Sequence, residues 1–321
     1  MQLQKNNINK ILAAGILATF VSLGADAVTV FEKDRTKVDL KGDLQIQVRQ
    51  KVGIDEDAYM DFDDLTAAFG AKHKSDNGVT SYGLLKMDWK KQASGDAKAG
   101  VDEGFVGLDF GKMAVEIGRL DWGSDSFYAD QAVEIGNDLI ATPKAGGYES
   151  IKAMADLGMA KLIVSGDLEV DENSSVAEAY LVTNPKELLG LELGFLYQSY
   201  TPATVPADEE AGTAAVEPDA IDTVGVRAMY KLNKVKLGAD FTTNDDKDVA
   251  NVSVGSPIAG TATSVAAGMA MEMPDAGDDV NTWYANMKHK VNKITTVFAE
   301  VGGDDKDDTD LGYLAGMKVK F

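Results

Sequence analysis

The feature that most constrains this chain is a strict alternation of polar and apolar residues between Val38 and Arg49. Successive side chains of a β-strand point to opposite faces, so the pattern predicts a strand with one apolar and one polar face. The run is too long and too regular for a typical globular edge strand, and it suits a strand between lipid and water. The apolar set is Val38, Leu40, Gly42, Leu44, Ile46 and Val48, and the polar set is Asp39, Lys41, Asp43, Gln45, Gln47 and Arg49.

The same period of two recurs in later segments, including 224–232, 235–242, 281–291 and 311–321, where helical spacing fits poorly. Short turns and longer polar loops separate these segments in alternation. Such a succession is typical of an up-and-down barrel whose two rims face different compartments. The short turns are expected at Lys74–Gly78, Gly111-Lys112, Leu157-Gly158, Asn184–Gly190, Asn233-Lys234 and Asn292-Lys293, and the longer loops at Gln92–Gly100, Glu169–Ser175, Thr201–Asp222 and Gly302–Asp310.

The strand count depends on how Asp248–Met273 is divided. About fifteen strands can be counted directly, and a turn at Pro257–Gly260 would make sixteen. Single-chain bacterial barrels of this kind have even strand numbers, so we expect an all-β, transmembrane, antiparallel barrel of sixteen strands. Fourteen strands is the alternative.

The N-terminal segment predicts export. A basic start, MQLQKNNINK, is followed by the apolar run Ile11–Gly24 and the small-residue site Ala25-Asp26-Ala27. This pattern is typical of a secretory signal peptide, and the run is too short to span a bilayer as a helix. We therefore expect residues 1–27 to be a signal peptide and 28–321 to form the barrel domain; a retained membrane anchor is the alternative.

Composition narrows the possible partners. The formal net charge is -21, so the chain should repel nucleic acid, and we expect no nucleic-acid partner. Cysteine is absent, which leaves neither a disulfide framework nor a thiolate site. No stretch after the leader approaches the ~18 apolar residues of a transmembrane helix.

Three segments resemble the general porins of Gram-negative outer membranes. FVGLDFGKMAVEIGRLDWG, at residues 105–123, resembles that family's FAGL...YGR...YG signature. Phe31–Asp43 resembles its opening pattern, an aromatic residue followed by KDG and KVDLYGK. The last segment, LGYLAGMKVKF, is similar to the terminal strand of outer-membrane barrels.

The resemblance implies a water-filled channel for passive diffusion of small ions and hydrophilic solutes. It implies that the third external loop, here 123–147, folds inward and forms the constriction. It also implies a homotrimer, no cofactor and no metal, and a role for Phe321 in the signal read by the barrel-assembly machinery. The second external loop, which latches onto a neighbouring subunit in the family, would be Gln92–Gly100, which is short and weakly charged.

Carried over by position, two of the family's basic wall residues fall on acids here. The first falls on Asp43 and another on Asp102; a third falls near Thr66, and Lys152 or its neighbourhood retains the fourth. Carboxylates in a narrow passage concentrate cations and exclude anions, so we predict a cation-selective pore. The loop acids at this constriction are Asp125, Asp130, Glu134 and Asp138, and the remaining candidate basic groups are Arg49, Arg119, Arg227, Lys41 and Lys86.

Other interpretations stay open at this point. The loop acids could be a solvated surface, because charged loop residues are common. Acidic clusters such as Asp278-Asp279 could bind divalent cations that bridge to lipopolysaccharide, although a solubilising rim is the alternative. An enzyme is not expected: of the two histidines, His73 lies by a turn and His289 lacks an evident Ser or Asp companion. A non-conducting barrel used as adhesin or structural protein is the competing class.

Overall fold

The computed structural model describes residues 27–53, 57–89, 100–135, 141–142, 144, 146–168, 175–185, 190–203 and 218–321. The described chain is almost entirely β-strand, with one 3-10 turn at Ser124–Ser126. No helix in these ranges is long and apolar enough to cross a membrane. The strands are β1 Val28–Lys33, β2 Thr36–Gln50, β3 Tyr59–Lys74, β4 Thr80–Asp88, β5 Gly100–Asp109, β6 Met113–Asp121, β7 Gly146–Asp156, β8 Ala160–Asp167, β9 Ser175–Thr183, β10 Leu191–Thr201, β11 Ile221–Leu232, β12 Val235–Thr243, β13 Lys247–Pro257, β14 Thr263–Pro274, β15 Val280–Lys290, β16 Thr295–Asp304 and β17 Gly312–Lys320.

Strands β2 to β17 form a closed antiparallel ring. Each strand pairs with the next in sequence, and β17 pairs back onto β2. The prediction of a sixteen-stranded barrel is confirmed, because Asp248–Met273 divides into β13 and β14 around a turn that contains Gly260 at φ 76. The alternative prediction of fourteen strands is wrong.

The segment before the predicted strand forms a hairpin with it. Asp34 and Arg35 both have positive φ, 48 and 64, and they turn the chain back so that β1 pairs with β2 from Lys33↔Thr36 to Val28↔Leu40. Two positive φ values are typical of a tight hairpin turn, which Gly, Asn and Asp favour. The residue pair Asp34-Arg35 did not predict this turn, because arginine rarely adopts a positive φ.

The two ends of the described chain share one edge of β2. β17 covers Asp43–Gln50, and β1 covers the lower half up to Leu40. Between them, the Phe321 carbonyl accepts a 2.7 Å hydrogen bond from the Gly42 N–H, and the Phe321 N–H donates to the Gly42 carbonyl at 3.0 Å. The ring is therefore closed by both ends together.

The barrel has an apolar outer surface. Large apolar side chains are exposed along the strands, for example Val106 at 67%, Val224 at 50% and Met269 at 54%. Their polar neighbours in sequence point inward, as Gln47 and Glu300 do, each 3% exposed or less. This is the arrangement predicted from the alternation, with lipid outside and water inside.

The two rims differ in their connections. One rim, called the short-turn rim, carries the β1–β2 turn, Phe321 and tight turns centred on Gly78, Gly111 and Gly158. The other, called the long-loop rim, carries the longer connections, including 122–145 between β6 and β7. The predicted short turns are confirmed where the structure describes them; residues 186–189 of the turn at Asn184–Gly190 and 169–174 of the loop at Glu169–Ser175 lie outside the described part. The loop predicted at Gly302–Asp310 begins later, because β16 continues to Asp304. Two connections at the long-loop rim, 244–246 and 275–279, are also short.

The main packed core lies where the segment after β6 meets the barrel wall. Phe127 packs on Tyr180 and Leu196, with the rings of Phe127 and Tyr180 5.9 Å apart. Ile135 packs on three wall side chains from β15, β16 and β17, namely Tyr284, Phe298 and Leu314. Burying apolar side chains on this inner wall fixes the path of the segment.

Candidate functional site

The segment 123–135, called the inner loop, is held by hydrogen bonds to side chains of the barrel wall. Glu300 on β16 accepts three backbone N–H groups, from Val133, Glu134 and Ile135, at 2.6–2.7 Å. A carboxylate that accepts several N–H groups forms strong, charge-assisted bonds. Glu300 therefore acts as a latch for the far end of the inner loop.

Similar contacts hold the loop along its length. The Ser124 N–H donates to Glu178 at 3.0 Å, and the Ala129 N–H donates to Asp240 at 2.8 Å. The Gln131 N–H donates to the Tyr284 hydroxyl at 2.7 Å. The described inner loop thus follows the wall from β9 to β16.

The opposite wall, β2 to β5, borders a cavity of about 200 Å³. Asp43, Thr66, Lys86 and Glu103 line it, together with Lys41. Several of these were predicted to lie in the lumen from strand phase or family position. This side of the lumen is the candidate constriction.

A β-bulge brings two acids onto one lysine at this wall. The β4–β5 register passes from Lys86↔Glu103 to Met87↔Val101, which leaves Asp102 as the extra residue. Lys86 lies 2.6 Å from Asp102 and 3.2 Å from Glu103. Because of the bulge, the sequence alone could not show which of Asp102 and Glu103 faces the lumen.

Asp43 lies on the lumenal face of β2, opposite Thr66 on β3. Its carboxylate is 3.8 Å from the Lys320 ammonium, and within the described residues its Oδ1 has no hydrogen-bond partner. Because neighbouring groups neutralise this carboxylate only weakly, its negative charge raises the negative potential in the cavity.

A second bulge, in β3, adds acids that the sequence analysis missed. Asp63 and Asp64 together stand opposite Gln45, because the register passes from Leu44↔Leu65 to Ile46↔Phe62. Gln45 donates to Asp63 at 2.8 Å, and Lys318 pairs with Asp64.

Glu134 connects the inner loop to this acidic wall. Arg49 lies 3.5 Å from Glu134 and 3.4 Å from Asp61. Burial, together with a hydrogen bond to Asp63 and the charge of that carboxylate, raises the pKa of Glu134 to about 8, and Arg49 opposes the shift. Near neutral pH, the raised pKa favours the protonated form of Glu134.

The basic candidates divide between the two walls. Lys152 pairs with Glu116 at 2.8 Å on the β6–β7 wall and donates to the Asp121 carbonyl at 3.0 Å. Arg227 lies on the inner-loop side, where it pairs with Glu192 at 2.9 Å and donates to the Tyr180 hydroxyl. Arg119 lies opposite Gly104 in the β5–β6 pair, one residue after Gly118, whose φ is 141.

The remaining loop acids occupy different surroundings. Asp125 interacts electrostatically with Asp121 at the end of β6, so it stays near the Asp102 side. Asp130 interacts with Lys288 and Tyr284 on the inner-loop wall, away from Asp43. Asp138 lies outside the described residues, as do the predicted second external loop from Gln92 onward and most of Thr201–Asp222.

Sequence reasoning missed the wall acids that hold the inner loop and the acids of the β3 bulge. The sequence feature that could have identified them is a position on the inward-facing side of a strand. Asp240 and Glu300 share that position with many other polar residues. The missed residues are Glu178, Asp240, Glu300, Asp61, Asp63, Asp64 and Lys318.

The fold and site together define an outer-membrane β-barrel channel, since a closed sheet with an apolar exterior and a polar lumen satisfies every edge within lipid. A sequence model of the Gram-negative porin family matches residues 13–309. The chain belongs to this family, and it is a transmembrane porin of the outer membrane. The resemblance stated from the three motifs is confirmed.

Two related sequences illustrate the relationship. The chain is 26% identical over 343 residues to porin-like protein H of Photobacterium profundum, covering 98% of this chain and 100% of that one. It is 26% identical over 181 residues to a monosaccharide porin of Halomonas sp, covering 53% of this chain and 46% of that protein.

Solved structures show the same fold at low sequence identity. The trimer form of OmpT from Vibrio cholerae matches with a TM-score of 0.73 at 15% identity, covering 90% of this chain and 100% of that one. An anion-selective porin from Comamonas acidovorans matches with a TM-score of 0.69 at 13% identity, covering 89% and 100%.

Proposed function

We propose that this porin is a cation-selective diffusion channel whose selectivity comes from acidic side chains at the constriction between the inner loop and the β2–β5 wall. The observation that carries the proposal is the excess of acids over cations among the described residues there. The fold alone does not decide selectivity, because the porin from Comamonas acidovorans shares the fold and is named anion-selective. The acids are Asp43, Asp61, Asp63, Asp64, Asp102 and Glu103, and the cations are Lys41, Arg49, Lys86, Lys318 and Lys320; Glu134 is left out of this balance because its pKa is raised to about 8.

The charge excess acts in a confined space. Field lines from fixed carboxylates are focused by the low-dielectric barrel wall, so local cation concentration rises and anions are excluded. Asp43 contributes most per residue, since Lys320 is 3.8 Å away, whereas Asp102 is partly neutralised by Lys86 at 2.6 Å.

The proposed solutes, oligomeric state and assembly route are those of the family. The solutes are small and hydrophilic, and the monosaccharide porin of Halomonas indicates the size class. Assembly as a homotrimer is supported by the trimer form of the Vibrio cholerae OmpT structure. Residues 1–27 direct export, the assembly machinery reads Phe321, and lipopolysaccharide contacts the outer surface.

The experiment is the reversal potential of the purified protein in a planar bilayer under a potassium chloride gradient. We expect K⁺ to be favoured over Cl⁻ in the wild type, and the preference to fall by about twofold or more in Asp43→Lys, because the variant replaces a lumenal negative charge by a positive one. Asp278→Lys makes the same charge change at the long-loop rim and is the matched control.

Each contrary result has a distinct meaning. An anion preference in the wild type would contradict the assigned wall charges while leaving the porin fold intact. Absence of channels from a preparation that still shifts on heating in a denaturing gel would instead favour a non-conducting barrel.

A further inference from the structure

A second cavity, of about 280 Å³, lies behind the inner loop and away from the candidate constriction. Gln131 and Ala132 of the loop form one side, and residues of β12 to β15 form the rest. Pockets for drug-sized ligands are about 300–1,000 Å³, so this volume suits a small solute.

The chemistry of this cavity is opposite to that of the constriction. Lys234, Lys236 and Lys288 line it, and none of its described lining residues is acidic. In a chain with net charge -21, three lysines that converge without an acid in the lining are unexpected. The hydroxyls of Ser256 and Ser264 add neutral donors to the same space.

Two of the lysines are available to a ligand. Lys234 and Lys236 are exposed, and neither forms an ion pair within the described part of the chain. Lys288 donates to the Ala132 carbonyl at 3.4 Å and interacts with Asp130 and Glu300. The carboxylate of Glu300 is engaged by three loop N–H groups and by Asn286.

The cavity is built by specific contacts. The Gln131 amide donates to the Ser253 hydroxyl at 3.1 Å, and Asn286 donates to the Gln131 carbonyl at 2.9 Å. A Cβ at Gly255 would overlap the Gln131 amide oxygen, so the glycine makes room for this side chain. The loop side of the cavity therefore has a fixed position.

We propose that this cavity is an oxyanion-binding site for phosphate or the phosphate group of a small solute. Several ammonium and hydroxyl donors around one space are what a tetrahedral dianion needs, since charge-assisted hydrogen bonds to phosphate are among the stronger ones. The site is separate from the selectivity of the constriction and does not rest on it.

The test is a ³¹P NMR titration of inorganic phosphate with the full-length barrel in a detergent without phosphate groups, at about 0.1 M salt so that screening stays moderate. The wild type broadens and shifts the phosphate signal saturably. In Lys234→Gln/Lys236→Gln the apparent affinity falls about fivefold or more, because two of the three charges are lost. Lys290→Gln/Lys293→Gln removes two lysines from the same rim outside the cavity lining and keeps wild-type affinity.

Equal loss in both double variants, or no saturable response in the wild type, overturns the site. Heat-modifiable gel migration of every variant establishes folding. Reversal potentials in potassium chloride without phosphate are measured on the same proteins, so failure of cation selectivity and failure of the oxyanion site are read separately.

Discussion

Individual residues here act through backbone geometry as much as through charge. Asp102 and Glu103 both reach Lys86 because a bulge interrupts the alternation, and Asp63 and Asp64 reach different lumenal partners for the same reason. Strand phase assigned Asp43 to the water-facing side, and its carboxylate lies there. It could not place the bulged acids, because a bulge depends on the partner strand and leaves no fixed residue signature.

Gly118 should tolerate no side chain. Its φ is 141, and a Cβ would overlap the Gly104 carbonyl oxygen, which is backbone and cannot move away cheaply. Gly118→Ala is expected to destabilise the barrel by about 1–3 kcal/mol, the usual cost of strain at such a position. Urea unfolding in detergent, followed by tryptophan fluorescence, measures the change.

Gly100→Ala is the matched control for this substitution, because nothing lies within 4 Å of the added Cβ and its φ is ordinary. Equal unfolding midpoints for the two variants would contradict the strain argument.

Glu134 should make selectivity depend on pH. With its pKa raised to about 8 by burial and by Asp63, Glu134 is protonated below that value and ionised above it. Cation preference should therefore rise from about pH 7 to about pH 9 as one more negative charge enters the constriction. Reversal potentials across this range measure the effect.

In Glu134→Gln this rise should disappear, whereas Asp279→Asn at the long-loop rim should keep it. A pH profile unchanged by Glu134→Gln would show that another group carries the titration.

At the scale of an element, the inner loop is a strap attached by wall side chains. Its anchors come from strands far apart in sequence, and Glu300 takes three of its N–H groups. The sequence identified the segment as a loop after β6 but offered no means of choosing its anchors. Inward polar residues look alike until the path of the loop is known.

Glu300→Ala should release the far end of this strap. Three loop N–H groups would lose their acceptor, and each buried donor left unsatisfied costs about 1–3 kcal/mol, so the loop should leave the wall. We expect larger single-channel conductance and a larger size limit for uncharged sugars in liposome swelling.

Glu272→Ala removes a carboxylate from β14 that pairs with Lys247 instead of the loop, and it is the control. If the two variants conduct alike, Glu300 does not hold the loop.

At the scale of the whole molecule, period-two alternation and turn residues predicted the barrel, its strand count and the two kinds of rim. They succeed because every strand meets lipid on one side and water on the other, so each carries the same readable pattern. The pattern could not reveal that Val28–Lys33 folds back on β2, since the alternation begins only at Val38, after the polar run 32–37.

The mature protein should begin at Val28. That residue starts β1 and pairs with Leu40, so cleavage after Ala27 leaves β1 intact. Intact-mass spectrometry of protein extracted from the outer membrane measures this directly. A mass that retained any part of residues 1–27 would contradict the assigned leader.

β1 and β17 occupy consecutive stretches of the same edge of β2, so closing the ring joins strands from opposite ends of the described chain. Pairings so distant in sequence form late and slowly. Pairing of β17 with β2 is therefore expected to be a late step in folding. Until then two strand edges are unpaired. Loss of β17 would leave the barrel open, whereas loss of β1 would leave the pairing of β17 with Asp43–Gln50 in place.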